Sequence, residues 1–521
     1  MGLPLYPFLL AVFPILSLYS DHVDETALAD PVRPVLVMLA GAMAVWLASL
    51  ALTRNARKAG ILTALGALMF WGYIPLREAL YSMSLLAASP ARVLLVTWVA
   101  LFAALAALIL RSRWGDDRAT TFALNAIGLT IVAVPVAVTG LRLLPLVARH
   151  GTARDGGAPQ ARPLEGTTGS TRTAIRRNDA RPDVYLIVLD AYGRADVLDR
   201  VYDFTGGLGD TLPGLGFYVA DESTANYNTT LHSISSALNF DYIQDIVPNA
   251  SSRSDIQTLK RLVCDNAVRQ TLHPLGYEFV AYASGYYWTE CPDAVRYLAP
   301  PRGVSEFEVA VLNRSPLRII AARLPALSPF RLHRERVLDF FESLPAIADD
   351  PAPTFVFANM VTPHHPFVFG ADGEDVSPYE REFRFGDRGG ATLDTAPGER
   401  SRHYIEAYRA QLGYVSKRLE AAIAEILRRS PSPPIIVVQG DHGPNSLNGP
   451  LDVRERFPIL NAYHLPNGGA ERLYASISPV NTFRVILDRY FGARYDLLPD
   501  RSYRTSYRDP FEFRALSRES R

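Results

Sequence analysis

Residues Pro434 to Pro444, PIIVVQGDHGP, place a carboxylate and an imidazole side by side at the end of an apolar run. The β-branched run that stops at Gly440 predicts a buried strand. Ligands and metals bind at the carboxyl ends of strands in α/β sheets, so Asp441 and His442 predict part of a metal site. This stretch alone is equally consistent with an Asp and a Gly that simply end a strand.

Three further short apolar runs lack polar alternation, as strands covered on both faces do: 184–190, 277–283 and 354–360. Apolar residues also recur at helical spacing before the run of 434–440, at Leu412, Val415, Leu419, Ile423 and Ile426. Strands that alternate with helices predict an α/β domain with a doubly wound, mainly parallel sheet over residues 182–521.

The N-terminal part of the chain has a different composition. At 521 residues the chain exceeds one domain of ~100–200 residues, so at least two units are expected. Its long uncharged runs concentrate in residues 1–142, which predicts a transmembrane helical region of about five spans: 3–19, 35–52, 61–73, 93–110 and 122–141. The first and third runs fall short of the roughly 20 residues that a span needs. The first run lacks a basic segment before it and a clear cleavage site, which favours a retained helix over a signal peptide.

Loop charges predict the orientation of these spans. Basic residues follow the second and fourth spans, at Arg54, Arg57 and Lys58 and at Arg111, Arg113 and Arg118, whereas 21–30 is acidic. The positive-inside rule then places the N-terminus in the cytoplasm and the chain after the fifth span outside it. This predicts a multi-pass protein of the inner membrane with an extracytoplasmic, periplasmic C-terminal domain. The loss of one weak span would reverse that last step.

Residues 143–181 connect the two regions and are rich in Gly, Thr, Ala and Arg, without an apolar period. We interpret them as a solvated linker. The whole chain carries 53 Lys and Arg against 53 Asp and Glu, so its charge gives no case for a nucleic-acid partner.

Two further stretches carry candidate chemistry. Asp190 ends the run VYLIVLD, so its carboxylate is expected at the same sheet edge as Asp441. The run ANYNTTLHSISSALN enters a helical pattern with Thr229 and Thr230 at its start. Threonines at a helix start are most often caps, but such a hydroxyl can also be a nucleophile, because the helix N-terminus favours negative charge.

A histidine pair follows another predicted strand. His364 and His365 lie in TPHHPF, between prolines that stiffen the loop. At the sheet edge they would suit contact with a substrate phosphate or proton donation to a leaving group. The alternative is a pair of ordinary surface histidines.

The order of these motifs resembles the alkaline phosphatase/sulfatase superfamily: an Asp that ends the first strand, a Thr at a helix start, His-x-Pro-Phe, and a strand followed by Asp-His-Gly. The N-terminal spans make the chain similar to the membrane-anchored branch that includes lipoteichoic acid synthases and phosphoethanolamine transferases. The resemblance implies one divalent metal, zinc or manganese, with these ligands: Asp190, Thr230, Asp441 and His442. It also implies Thr230 as nucleophile, with Thr229 as runner-up, and His364 in contact with the phosphate or the leaving group.

The chain departs from some members of the superfamily. Formylglycine sulfatases carry Cys or Ser in Cys/Ser-x-Pro-x-Arg, whereas Cys264 begins CDNAV and Cys291 begins CPDAV. This disfavours a formylglycine mechanism. The outer domain has no second Asp-His pair, so we expect one metal. An extracytoplasmic location permits a Cys264–Cys291 disulfide, which the sequence leaves open.

The function that the resemblance implies is transfer of a phospho-headgroup, such as phosphoglycerol or phosphoethanolamine, from a phospholipid donor to an envelope glycan through a phospho-threonine intermediate. The alternative is a hydrolase of phosphate or sulfate esters with the same nucleophile. A membrane protein that has kept the fold but not the activity is disfavoured because all four ligand candidates are present. Residues 370–400, rich in Gly, Asp and Pro, would form either a loop over the site or a surface insertion.

Overall fold

The computed structural model describes residues 3–82, 91–111, 118–152, 181–252, 255–301, 303–321, 328–376, 398–447 and 451–517. The chain divides into two compact units. Unit 1 comprises Met1–Ala158 with Ser305–Ser328, and unit 2 comprises Pro159–Val304 with Pro329–Arg521. Most of the predicted linker, 153–180, lies outside the described residues.

Unit 1 is helical. Its N-terminal helices are α1 (Tyr6–Asp21), α2 (Val32–Thr53), α3 (Ala56–Ser82), α4 (Ala91–Arg111) and α5 (Arg118–Thr152). Within the part of the chain that the structure describes, four helices, α2 to α5, are long and apolar enough to cross a membrane. The third predicted span, which looked short, is therefore long enough, whereas α1 has only 16 residues. Exposed apolar side chains such as Leu36, Val96 and Phe122 fit a lipid environment.

Buried polar contacts hold α1 to its neighbours in unit 1. The Asn125 side chain of α5 accepts hydrogen bonds from the backbone N–H groups of Leu5 and Tyr6, at 2.8 and 3.0 Å. The Trp71 indole of α3 donates to Ala11 O at 3.0 Å. Hydrogen bonds of this kind fix helix packing where water is absent, and here they satisfy donors at the start of α1.

Unit 2 contains the predicted sheet. Its strands are β1 (Val184–Leu189), β2 (Tyr218–Val219), β3 (Glu278–Tyr282), β4 (Arg296–Leu298), β5 (Thr354–Met360), β6 (Ile435–Gly440), β7 (Asn461–His464), β8 (Tyr503–Arg504) and β9 (Arg514–Ala515). Seven of them form one sheet in the order β2-β7-β6-β1-β5-β3-β4. The pairs among β6, β1, β5, β3 and β4 are parallel, and β7 is antiparallel to β6 and β2. The mainly parallel sheet is confirmed, and the four predicted strands are its central ones.

Helices accompany the strands along the chain: α6 (Ala195–Tyr202), α7 (Leu208–Thr211), α8 (Thr230–Asn239), α9 (Ile243–Ile246), α10 (Ile256–Cys264), α11 (Ala267–Leu272), α12 (Glu306–Asn313), α13 (Leu317–Ala321), α14 (Pro329–Ser343), α15 (Arg402–Arg429), α16 (Val453–Arg456) and α17 (Pro479–Phe491). The helical repeat that ends at Ile426 lies in α15, and its apolar side chains are buried. Of these helices, α12 and α13 belong to unit 1.

Apolar cores cover both faces of the sheet, because alternate residues of a strand point to opposite sides. In β1, Leu186 and Val188 belong to the core that contains α8 and α17 residues, whereas Ile187 and Leu189 belong to the core that contains α15 residues. Strands buried on both faces explain the uninterrupted apolar runs of the sequence.

The strand register determines where the candidate residues emerge. Leu189 at the end of β1 pairs with Met360 on one side and Gly440 on the other. The three central parallel strands therefore end level with one another. Asp190 and Asp441, each the residue after its strand, are brought to the same edge of the sheet.

Candidate metal and nucleophile site

Asp190, Asp441 and His442 form a compact group at this edge. One ligand atom from each lies within 4.8 Å of the others, and all three side chains are buried. His442 Nε2 lies 3.5 Å from Asp190 Oδ1 and 3.3 Å from Asp441 Oδ2. Two carboxylates and an imidazole are a donor set that suits zinc or manganese.

The Asp441 carboxylate shows how such a group would accommodate a metal ion. Its Oδ1 accepts hydrogen bonds from the backbone N–H groups of Ala191 at 3.1 Å and His442 at 2.9 Å. Its Oδ2 is buried and has no hydrogen-bond partner among the described residues. A buried carboxylate oxygen without a donor is unfavourable unless a cation faces it. The residues therefore fit a divalent metal.

The imidazole of His442 is oriented by the backbone beside it. Its Nδ1 lies 3.1 Å from Gly443 O, and because a carbonyl oxygen only accepts, Nδ1 carries the proton. This leaves Nε2 with a lone pair, the form that binds metals. Gly443 is required here because a Cβ at this position would lie 2.1 Å from Glu455 O.

Thr230 is the first residue of α8 and reaches the same centre. Its Oγ1 lies 3.1 Å from His442 Nε2, and the residue is only 5% exposed. The structure thus brings together all four residues that the resemblance implies as ligands. The hydroxyl stands at the N-terminus of a helix, where the helix dipole favours negative charge.

Thr229 has a different environment, although it is adjacent in sequence. It is the N-cap residue of α8 but makes no side-chain capping bond. His232 Nε2 lies 2.7 Å from Pro510 O and must donate a hydrogen bond to it. Nδ1 of the neutral ring therefore accepts a hydrogen bond from the Thr229 hydroxyl, also at 2.7 Å. Burial lowers the pKa of His232 to about 4, which keeps the ring neutral near pH 7. The Thr229 hydroxyl is therefore directed toward His232.

The C-terminal segment holds the loop that leads into α8. The Asn228 side chain makes two hydrogen bonds with the Thr505 backbone, accepting from its N at 2.8 Å and donating to its O at 3.2 Å. The Tyr503 N–H donates to Asn226 O at 2.8 Å. The Leu231 N–H contacts the Tyr507 hydroxyl at 3.4 Å. The local sequence around Thr230 does not indicate these contacts, because their partners lie more than 270 residues later in the chain.

The predicted histidine pair follows β5 and is buried. His364 is 4% exposed and His365 is 3% exposed, which excludes the surface interpretation. The two rings stack with centroids 4.3 Å apart. The His364 N–H donates to Asp190 O at 3.0 Å, and the His364 ring centroid lies 6.3 Å from that of His442. The peptide bonds before Pro363 and Pro366 are cis.

Arg456, at the end of α16, is a site residue that the sequence did not reveal. Its Nη2 lies 2.9 Å from His442 Nε2, and the side chain is 2% exposed. Its other nitrogens donate to Asn228 O at 3.0 Å and to Gly443 O at 3.2 Å. The guanidinium thus links the loops that carry Thr230 and His442. It contacts the same ring nitrogen that a metal would use, so a bound metal requires the Nη2 contact to shift.

Several other predictions concern residues outside this group of candidate ligands. Cys264 and Cys291 form a disulfide with Cα atoms 5.2 Å apart. His464 lies elsewhere, with Nδ1 2.8 Å from Pro434 O. Of the loop expected over the site, 377–397 lies outside the described residues. Among the described residues, one group of three or more potential ligands is found.

The chain matches no protein-family model and no curated protein. Among solved structures it is similar to the C-terminal periplasmic domain of EcEptC from Escherichia coli, with 10% identity, a TM-score of 0.41, and coverage of 66% of this chain and 94% of that one. The phosphoethanolamine transferase EptC domain from Campylobacter jejuni has 11% identity and a TM-score of 0.36, covering 60% and 91%. A putative sulfatase from Bacteroides fragilis has 11% identity and a TM-score of 0.39, covering 66% and 84%.

These likenesses have TM-scores of 0.36 to 0.41 and carry no argument about the chain's superfamily. The resemblance to the alkaline phosphatase/sulfatase superfamily therefore rests on the sequence motifs. A likeness this distant carries no argument about activity, which has to rest on the chain's own residues.

Proposed function

We propose that this protein is a membrane-anchored, metal-dependent transferase that moves a phospho-headgroup from a phospholipid to an envelope glycan through a covalent phospho-Thr230 intermediate. The observation that carries the proposal is the Thr230 hydroxyl, 3.1 Å from His442 Nε2 and beside the carboxylates of Asp190 and Asp441. Such a nucleophile serves phosphoryl or sulfuryl transfer in which the enzyme is transiently esterified.

The proposed first half-reaction balances simply. The Thr230 hydroxyl loses its proton to solvent, its oxygen bonds to the phosphorus of the lipid headgroup, and the bond from phosphorus to the diacylglycerol oxygen breaks. The departing oxygen takes a proton, which His364 would supply. In the second half-reaction a glycan hydroxyl attacks the phosphorus and gives its proton to His364. The bond from phosphorus to Thr230 Oγ1 breaks, and Thr230 takes a proton from solvent. In-line attack puts the acceptor on the side that diacylglycerol has left.

The chain supplies much of the stabilisation for the charge on phosphorus. The α8 N-terminus places partial positive charge beside Thr230, and the buried Arg456 guanidinium adds a full one. A zinc or manganese ion bound to Asp190, Asp441 and His442 would favour the ionised threonine and neutralise the phosphoryl oxygens.

The membrane region supports a lipid donor. Four helices suit a bilayer, and a tethered site meets a lipid at high effective concentration. The basic residues Arg111 and Arg118 end α4 and begin α5, and the positive-inside rule places the segment between these helices in the cytoplasm. One crossing by α5 then carries the following chain to the periplasmic side, whether or not α1 crosses.

The deciding experiment is peptide mass spectrometry of the detergent-purified protein after incubation with bacterial phospholipids and Zn²⁺ or Mn²⁺. We expect a phosphoglycerol or phosphoethanolamine adduct on Thr230. The adduct should persist in Thr229→Ala and vanish in Thr230→Ala. An adduct that is lost only in Thr229→Ala would identify Thr229 as the nucleophile instead. Cleavage of a synthetic phosphate or sulfate ester without any lipid-derived adduct would favour the hydrolase.

A further inference from the structure

A second charged group lies at the same sheet edge, where β3 ends. Arg336 of α14 is only 6% exposed. Its Nε is buried and has no hydrogen-bond partner among the residues that the structure describes. Arginine carries five N–H donors and is charged at any physiological pH, so a buried guanidinium with an unused donor is unfavourable. Such an arrangement is expected where a ligand completes the hydrogen bonds.

Gly285, three residues after Tyr282 at the end of β3, lies against this guanidinium. A Cβ at Gly285 would fall 2.2 Å from Arg336 Nη1 and 2.6 Å from Cζ. The glycine also has a φ of +80°, which other residues rarely adopt. Both its small size and its conformation therefore allow the guanidinium to approach the edge of the sheet.

The opposite charge that acts on Arg336 belongs to Glu290. That carboxylate is already engaged, because its Oε1 accepts from the backbone N–H of Gly285 and from the Ser284 hydroxyl at 3.4 Å. Burial raises the pKa of Glu290 and lowers the pKa of Arg336. Both ions are thus poorly solvated, and Arg336 is only partly compensated.

The position of α14 places Arg336 on the side of the site that carries His364. His333, one turn earlier in α14, hydrogen-bonds through Nε2 to Val361 O at 3.1 Å, next to the histidine loop. Burial, together with the charges of Arg336 and His364, lowers the pKa of His333 to about 3. The three side chains therefore share one electrostatic neighbourhood. In the proposed reaction this is the side of the leaving group and the acceptor.

We propose that Arg336 forms an anion-binding subsite next to the Thr230 centre, which holds a carboxylate or phosphate group of a substrate. The inference rests on the proposed function for the identity of that substrate. The shared chemistry is an anionic oxygen, which would come either from an acidic group on the acceptor glycan or from the phosphate of the donor headgroup. Arg336 is a binding residue in this role, and Glu290 sets the strength of its field.

The test is isothermal titration of the full chain in detergent with D-glucuronate, glycerol 3-phosphate and D-glucose. Glucuronate represents an acidic glycan, glycerol 3-phosphate represents the donor headgroup, and glucose is the neutral control. We expect Arg336→Gln to weaken binding of one acidic probe at least tenfold, since charged hydrogen bonds are strong. The probe that is affected identifies the source. Glu290→Gln should strengthen binding of the same probe, because it removes a carboxylate that competes with the probe for Arg336.

Arg331→Gln is the matched control, since it removes the same charge from the exposed side of α14, where Arg331 pairs with Glu335. We expect it to bind both probes within twofold of the wild type. Thermal unfolding of each variant checks that Arg336→Gln still folds, and Arg336→Lys serves as a second variant that keeps the charge.

Equal binding of both acidic probes by the wild type and Arg336→Gln would overturn the subsite, as would equal loss in Arg331→Gln. These binding results do not depend on turnover. If the phospho-Thr230 adduct is never observed but the Arg336-dependent binding is, the proposed reaction fails while the subsite stands.

Discussion

His232 offers a quantitative test of how the loop before α8 is held. The ring is fully buried and links two partners, accepting from the Thr229 hydroxyl and donating to Pro510 O, each at 2.7 Å. His232→Phe keeps a planar ring of similar size but removes both hydrogen bonds. The Thr229 hydroxyl then loses its acceptor, whereas Pro510 O keeps a weaker contact with the Thr505 hydroxyl at 3.4 Å. We expect the free energy of unfolding to fall by about 2 to 3 kcal/mol.

The same substitution should change how stability depends on pH. The folded pKa of His232 is lowered to about 4 by burial, below the ordinary value of 6.5. Between these values the unfolded chain binds more protons than the folded chain, so the free energy of unfolding falls as the pH falls. The slope from this one residue is up to about 1.4 kcal/mol per pH unit, and its contribution to stability is fully present above pH 6.5.

The assay is denaturant unfolding of the full chain in detergent at several values between pH 4 and pH 7.5. His232→Phe should be less stable than the wild type near pH 7, with a difference that shrinks toward pH 4.5. His464→Phe is the control, since that half-buried ring makes one hydrogen bond to Pro434 O. If the free energy of unfolding changes with pH in the same way in the wild type and in His232→Phe across this range, the buried, neutral state of His232 is refuted.

Three further outcomes are expected. Asp441→Asn and His442→Ala should each lower the affinity for zinc or manganese at least tenfold, as measured from the bound metal by inductively coupled plasma mass spectrometry. Full metal occupancy in both variants would show that these residues do not form a metal site. Arg456→Gln should reduce adduct formation on the nucleophile about 100-fold, while Arg456→Lys recovers part of it; no change would exclude a role for this charge. Replacing Cys264 and Cys291 together by Ser should lower the free energy of unfolding by about 3 kcal/mol in denaturant, given the 27-residue separation; an unchanged midpoint would contradict this.

The central strands and their ends could be predicted because they are coded locally. An apolar run without alternation indicates a strand buried on both faces, and such runs preceded Asp190 and Asp441. Parallel neighbours end at one edge of a sheet, so sheet geometry alone predicts that these two carboxylates lie close together. The short strands β2, β4 and β7 were not predicted, because two to four residues carry too little periodicity.

The environment of the two adjacent threonines could not be predicted in this way. Thr229 and Thr230 are chemically identical, and only the rotation of the chain at the start of α8 directs one hydroxyl to His232 and the other to His442. Arg456 and Arg336 are likewise two arginines among 53 basic residues, and their burial is set by loops and helices from distant parts of the chain.

By itself, the sequence determined the division into apolar helices and an α/β unit, the strands of the central sheet, and the residues at their ends, because hydrophobic periodicity and strand termination act over a few neighbouring residues. The tertiary structure alone decided which threonine faces the candidate metal group, which buried arginines accompany it, and how the C-terminal segment holds the α8 entry. These features depend on contacts between residues far apart in the chain, which local patterns do not encode.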